Sequence, residues 1–367
     1  MKWEEKVREL KNSDPEAYAI LNRIYKYYSD RGTMKIPSSF NERALSYMGV
    51  TAPSKNNASL KMFKEQQIIK FFNVWTGEGT IFNSLRASRP GLKLEGDAKH
   101  LQKLIKDSKK RCDFCDPERY TPEDSFGRIK GKFCITAANI AKYDAWSSLL
   151  IFKKHNPLEF SLQELSDYFE TAFKWFNKVY QKDERYHFPF MVWNCLYKAG
   201  ASQIHGHGQL LMTREFPYAK MENLNSSVAK YKKEVGKDYF SDLYYLHHAL
   251  GLAQSYGEVK FMVSITPLKE KEILIISPEA PSESNEAKEV IFKILRCYVD
   301  VLGVESFNLA LYCPSLKSYG YPYLVKIVDR GPLFINTADM GGMELYGSSI
   351  AANDPYKVIK SIREYWI

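Results

Sequence analysis

The stretch Asn194–Gln209, NCLYKAGASQIHGHGQ, decides how this 367-residue chain is read. It follows a strand-like run, FPFMVWN (188–194), leads into another, QLLM (209–212), and sets two of the chain's seven histidines one residue apart among glycines. Side chains two apart on an extended segment point the same way, so His205, His207 and Gln209 are expected on one face. Gly206 and Gly208 then leave room around the imidazoles. The small residues Gly200, Ala201 and Ser202 let backbone N–H groups come close to phosphate oxygens. A histidine so placed suits phosphorus chemistry, because neutral imidazole attacks phosphorus to give a reactive phosphoramidate and splits one displacement into two easier steps. An isolated H-x-H reads first as a histidine pair in a turn and second as metal ligands. The full run G-A-S-x-x-H-x-H-x-Q, behind a strand and an asparagine, points to the covalent chemistry.

The flanks of this stretch are written twice along the chain. In the first copy SSLLIF (147–152) is strand-like and SLQELSDYFETAFKWFNKVY (161–180) is helical. Ser161 and Glu164 form a capping-box pattern, and Leu162, Leu165, Phe169, Phe173 and Phe176 make one apolar stripe. FPFMVWN and QLLM complete the copy. The second copy runs KEILIIS (271–277), the helix NEAKEVIFKILRCYVDVLG (285–303), FNLALYC (307–313) and LVKIV (324–328). Aligned this way, Tyr321 and Tyr323 stand where His205 and His207 stand, so one copy keeps the histidine chemistry and the other lacks it. Strand, helix, strand, loop, strand, repeated once, is an α+β plan.

Composition bounds the rest. The chain is 45% hydrophobic and 26% charged, long enough for a large two-lobed unit. The N-terminal run MKWEEKVRELKNSDPE has no apolar core of a signal peptide, and the most apolar runs are strand-sized, so no membrane partner and a cytoplasmic location are expected. The net charge of +9 fits an anionic ligand or simple solubility; KDSKKR (106–111) is the one dense basic run. Of six cysteines only Cys112 and Cys115 have metal-like spacing, and no disulfide framework is expected. Residues 1–60 read as a mostly helical extension ending in the linker-like KNNASL (55–60), followed by lobes over 61–225 and 226–367.

These residues resemble the histidine-triad superfamily, in particular its nucleotidyltransferase branch, which includes the galactose-1-phosphate uridylyltransferases and the ADP-glucose and dinucleoside polyphosphate phosphorylases. Four pieces over roughly 70–367 carry the resemblance: NVWTGEGTIFNSLRASRP (73–90), CDFC (112–115), LLIFKKHNPLEFSLQEL (149–165) and N-x5-G-x-S-x-x-H-x-H-G-Q (194–209). It implies two histidine-triad-like lobes, each an antiparallel sheet plus helix, behind a helical N-terminal extension. It assigns His207 as the nucleophile and Gln209 as the residue that hydrogen-bonds the nucleotidylated histidine. Arg86 and Arg89 fall at phosphate-side positions, Asn194, Gly200 and Ser202 in the phosphate-binding segment, and Asn139 at a nucleotide contact. Cys112, Cys115, His155 and His205 fall at zinc-ligand positions, and four protein ligands close the site, so one structural zinc per chain is implied.

The implied activity moves a nucleoside monophosphate from a nucleotide sugar to a sugar 1-phosphate through a nucleotidyl-histidine. Glutamine at 209 fits transfer over hydrolysis, because it bonds a phosphoryl oxygen without titrating. Inorganic phosphate as acceptor, in a phosphorylase, is the alternative reading; a zinc-containing nucleic-acid-binding protein is a remote one, and no nucleic-acid partner is expected. A homodimer is implied by the resemblance alone. The chain departs from the uridylyltransferases in reading HGH rather than HPH, and in carrying no histidine in YGYPYLVKIVDRG (319–331), so no second metal is expected. His247 and His248 are expected as surface residues of a helix.

Overall fold

The computed structural model describes residues 3–48, 56–88, 98–318, 321–334 and 341–366. Helices α1 (Trp3–Ser13) and α2 (Pro15–Ile24) lead into β1 (Tyr25–Thr33); α3 (Asn41–Tyr47) and α4 (Asn56–Lys64) precede β2 (Glu65–Asn73) and β3 (Gly79–Phe82). Then come α5 (Ala98–Ser108), α6 (Pro117–Tyr120), β4 (Cys134–Ala138), β5 (Trp146–Phe152), α7 (Leu162–Lys182), β6 (Phe188–Cys195) and β7 (His207–Thr213). The second half has α8 (Ala219–Val235), α9 (Tyr239–Ala249), β8 (Ala253–Tyr256), β9 (Val259–Val263), β10 (Ile273–Ser277), α10 (Asn285–Asp300), β11 (Phe307–Tyr312), β12 (Tyr323–Asp329), β13 (Ser348–Ala351) and α11 (Pro355–Trp366). The expected linker at 56–60 is instead the first part of α4. The N-terminal segment also gives a strand, β1, to a small sheet of order β1-β2-β3-β13. Its helices are tied to both the second half and the small sheet: Arg23 pairs with Asp242 of α9 in the second half at 2.9 Å, and the ring of Trp3 meets Phe71 of β2 in the small sheet edge-on at 4.6 Å.

The large sheet has nine strands, ordered β4-β5-β7-β6-β11-β12-β10-β9-β8, with antiparallel neighbours throughout. The order reads outward in matching fashion from the central pair β6 and β11: β7 then β5 on one side, β12 then β10 on the other. The α+β fold and the duplicated strand–helix–strand–strand unit expected from sequence are both present. One face of the sheet is covered by α7 and α10. Here Phe152 stacks on Tyr168 of α7 at 3.8 Å, and Trp193 meets Phe307 edge-on at 5.1 Å across the central pair, joining the two halves in one core. The helix α7 begins as expected, with Ser161 accepting from the Glu164 N–H at 3.2 Å and Glu164 accepting from the Ser161 N–H at 2.7 Å. No helix among the described residues is long and apolar enough to cross a membrane.

Candidate functional site: a histidine face beside a Cys2His2 cluster

The other face of the sheet carries the candidate site residues. The residues of β7 that face away from α7 are His207, Gln209, Leu211 and Thr213, while Gly208, Leu210 and Met212 face the helix. His207 opens the strand and is buried. Its Nδ1 lies 2.8 Å from the carbonyl oxygen of His205. A carbonyl only accepts, so Nδ1 carries the proton and Nε2 keeps its lone pair. Burial lowers the His207 pKa, which keeps the ring neutral at neutral pH. The outcome is an imidazole held in the tautomer that a nucleophile at Nε2 requires. Gln209, nearly buried, lies on the same face two residues on.

His205 precedes the strand and turns its ring toward the loop after α5. The Nδ1 of His205 is 3.3 Å from the Cys112 Sγ, 3.6 Å from the Cys115 Sγ and 3.2 Å from the His155 Nδ1. Cys115 Sγ is 3.4 Å from His155 Nδ1, and all four ligand atoms lie within 4.8 Å of one another. Each histidine turns its other nitrogen to main-chain oxygen: His205 Nε2 lies 2.7 Å from the Phe152 carbonyl, and His155 Nε2 lies 3.1 Å from that of Ile105, with the Ser108 hydroxyl at 2.9 Å. Both Nε2 atoms therefore carry protons, and two Nδ1 lone pairs face each other. That arrangement is repulsive unless a cation sits between them. A tetrahedral zinc with Zn–N of about 2.0–2.1 Å and Zn–S of about 2.3 Å needs N–N edges of about 3.3 Å and N–S edges of about 3.6 Å. The observed separations fit that requirement, so the four residues can hold a metal ion.

The ring of Phe114, between the two cysteines, stands edge-on to His207 at 5.2 Å and to His205 at 5.9 Å. The Cys112–Cys115 loop thus packs directly on the His207 ring. Sequence reading missed this residue, although its place inside C-x-x-C was the available signal. It also misread the glycines. A Cβ on Gly206 would stand 2.7 Å from Phe152 Cδ2 and 3.2 Å from Pro157 Cα, and one on Gly208 would be 3.3 Å from Met191 Cε. Those glycines admit neighbouring chain; they do not make space around the imidazoles.

Asn194 ends β6. The β6–β7 register pairs Val192 with Gln209 and Trp193 with Gly208, and one further step sets Asn194 opposite His207. The chain then turns sharply. Leu196 has φ +67° and Gly200 φ +93°, and the Ala199 and Ala201 N–H groups both donate to the Leu196 carbonyl, at 3.1 and 3.2 Å. Ser202 follows in the same loop. Asn139 lies at the end of β4, two strands from β7; its level on the sheet is that of Ser147 and Leu211, four residues along from His207. Arg86 sits in a 3-10 turn, Ser84–Ser88, that leaves the small sheet. Arg89 lies outside the described residues.

The second half corrects two sequence readings. Tyr323 does not occupy the place of His207. Its ring meets Phe173 of α7 at 6.0 Å, on the helix-covered face. Matching faces rather than letters puts Leu324 at the His207 position and Lys326 at the Gln209 position. A strand has period two, so a one-residue slip in alignment moves every side chain to the wrong face. His247 is buried, not on the surface, with Nδ1 2.8 Å from the Leu243 carbonyl; His248 is exposed. Over Leu324 and Lys326 lie α8, α9 and the loop after β2. Glu78 of that loop receives Lys326 Nζ at 3.0 Å and Lys220 Nζ at 2.9 Å, and Glu272 lies 3.5 Å from Lys326. Burial pushes Glu78 up, but the two ammonium groups outweigh it and hold the carboxyl down to about 2.

No protein-family model matches the sequence, and no curated protein matches it. Solved structures do. An ADP-glucose phosphorylase from Arabidopsis thaliana, solved with bound ADP-glucose, superimposes with a TM-score of 0.59 over 80% of this chain and 97% of its own, at 18% identity. A GalT-like protein from Arabidopsis thaliana gives 0.56 over 70% and 92%, also at 18% identity. A uridylyltransferase gives 0.53 over 67% and 88%, at 13% identity. The chain shares the α+β fold of these solved structures.

Proposed function

We propose that the protein is a nucleotidyltransferase that works through a covalent nucleotidyl-His207. The observation that carries this reading is the His207 Nδ1–His205 carbonyl bond of 2.8 Å, which leaves a neutral Nε2 as the nucleophile. Nε2 attacks the phosphorus of the nucleoside monophosphate unit. The N–P bond forms as the P–O bond to the sugar phosphate breaks, and that electron pair leaves with the sugar 1-phosphate. A phosphate oxygen of the acceptor then attacks the same phosphorus, and the N–P pair returns to Nε2. Leaving group and acceptor are both phosphates, so neither step needs a strong general acid or base; charge neutralisation and positioning dominate. Arg86 and Arg89 neutralise phosphate charge. Asn194, Gly200, Ser202 and Gln209 hold phosphoryl oxygens, and Asn139 contacts the nucleoside. Cys112, Cys115, His155 and His205 hold one zinc, which supplies structure because four protein ligands leave no open position.

The donor in this reading is a nucleotide sugar such as UDP-glucose and the acceptor a hexose 1-phosphate such as galactose 1-phosphate, in a cytoplasmic homodimer. The second reading keeps the covalent step and uses an adenylyl donor with inorganic phosphate as acceptor. It is supported by the likeness to a phosphorylase solved with ADP-glucose. Intact-protein mass spectrometry after incubation with UDP-glucose, ADP-glucose or diadenosine tetraphosphate, each without acceptor, tests both. A uridylyl adduct supports the uridylyltransferase and an adenylyl adduct the phosphorylase. Zinc-loaded protein that takes no label from any of the three overturns the covalent reading.

A further inference from the structure

The central strand pair brings an asparagine from each half to one spot. Asn308 of β11 is in register with Asn194 of β6, on the open face. The Asn308 Nδ2 donates to the Asn194 Oδ1 at 2.7 Å and to the Ala199 carbonyl at 2.9 Å. On its other side, Arg330 Nη1 donates to the Asn308 Oδ1. Arginine has donors only, so Arg330 settles which end of the Asn308 amide faces it: the oxygen. The NH2 end must then face the loop. The Asn194 oxygen is thereby occupied, and the Asn194 NH2 is left to point toward Gly200, where a Cβ would come within 4.0 Å of it. The loop so gripped holds Leu196 at φ +67°, a conformation that persists only where its surroundings fix it. Ser306 adds a buried bond from its hydroxyl to the Cys195 carbonyl at 2.7 Å.

We propose that Asn308 and Arg330 are positioning residues that fix the Asn194 amide with its NH2 toward the phosphoryl group at the 194–202 loop. The proposal rests on the covalent reading given above. Unaided, an asparagine amide can present oxygen or nitrogen, and only the nitrogen end attracts a phosphoryl oxygen. The second half of the molecule therefore decides the polarity of a group in the first half's site. Asn308→Asp inverts the device at constant shape: its carboxylate accepts from the Asn194 NH2 and turns the Asn194 oxygen toward the phosphate.

The test is a double-mutant cycle on the single-turnover rate of His207 labelling, with donors as above and metal content measured on each variant. Asn308→Asp is expected to slow labelling about 100-fold, of the order seen when one oxyanion donor is lost. In an Asn194→Ala background the same change is expected to have less than a threefold effect, because its target is gone. Arg330→Met keeps Asn308 and is expected to slow labelling less, again only while Asn194 is present; it also serves if Asn308→Asp does not fold. Effects that multiply in the Asn194→Ala background, or variants that label at the wild-type rate, overturn the proposal and leave the covalent reading standing. Wild-type protein that takes no label overturns both.

Discussion

The two halves of the nine-stranded sheet share a scaffold and differ on one face. Each has a long helix packed on one side, started by a serine cap, and each presents two alternate side chains of its inner strand on the other. In the first half those are His207 and Gln209, beside the 194–202 loop proposed to hold phosphate and a cluster that can hold metal. In the second they are Leu324 and Lys326, under α8 and α9, with Glu78 and Glu272 around the ammonium group. A carboxylate there takes the contacts that an anionic ligand would make with two lysines. The scaffold does not dictate chemistry; two positions per strand and whatever covers them do.

That contrast can be broken most forcibly at His207. His207→Gly should abolish nucleotidyl labelling in mass spectrometry while the fold and metal content persist; label that survives would remove the distinction between the halves. Next is the metal cluster. Cys112→Ser should empty the site by elemental analysis and cut labelling at least 10-fold, because Phe114 then loses its anchor against the His207 ring. Unchanged labelling in metal-free protein would separate the cluster from the chemistry.

The second half has its own sensitive point. Lys326→Met leaves Glu78 and Glu272 short of a partner inside the protein and should lower stability by about 3–5 kcal/mol in urea titration. The labelling stoichiometry of the remaining folded protein should not change. In the wild type, Glu78 is held at about 2 against an ordinary 4.5, so its contribution is complete above 4.5 and is lost as the pH falls toward 2. Acid unfolding in that window should flatten in the variant. The smallest effects compare like with like. Ser161→Ala and Ser284→Ala each remove a cap and should cost about 1 kcal/mol. Ser161→Ala should cost the less, because the capping-box bond from its main-chain N–H to Glu164 survives the change, whereas Ser284→Ala loses the Ala287 N–H bond of 3.1 Å with no such reserve. Equal losses in thermal melts would show that the box adds nothing.

Several parts of this picture could be read before any coordinates. The helix α7, its cap and its apolar stripe are local and periodic, and so are the strands that flank it. The convergence of Cys112, Cys115, His155 and His205 followed from resemblance, and no spacing rule alone would have joined 112 to 205. Other parts resisted. The strand β1, YKYYSDRGT, carries too many polar residues to announce itself; it exists because β2 pairs with it along nine residues. Tyr323 was placed by its letters on the wrong face, because nothing in the sequence fixes which of two registers the second half adopts.

What the sequence determined by itself is therefore what depends on neighbours a few residues away: the helices, the strands, the duplicated plan and the H-G-H-G-Q run that sets two imidazoles two residues apart. Tertiary structure alone decided which side chains share a face and which distant groups meet. The His207 tautomer depends on a carbonyl two residues back, but its neutrality depends on burial under Phe114. Asn308 and Arg330 reach Asn194 only because β6 and β11 lie side by side at the centre of the sheet, more than a hundred residues apart in the chain. Hydrogen-bond partners of that kind are fixed by strand order and register, which emerge only when the whole sheet buries its apolar face.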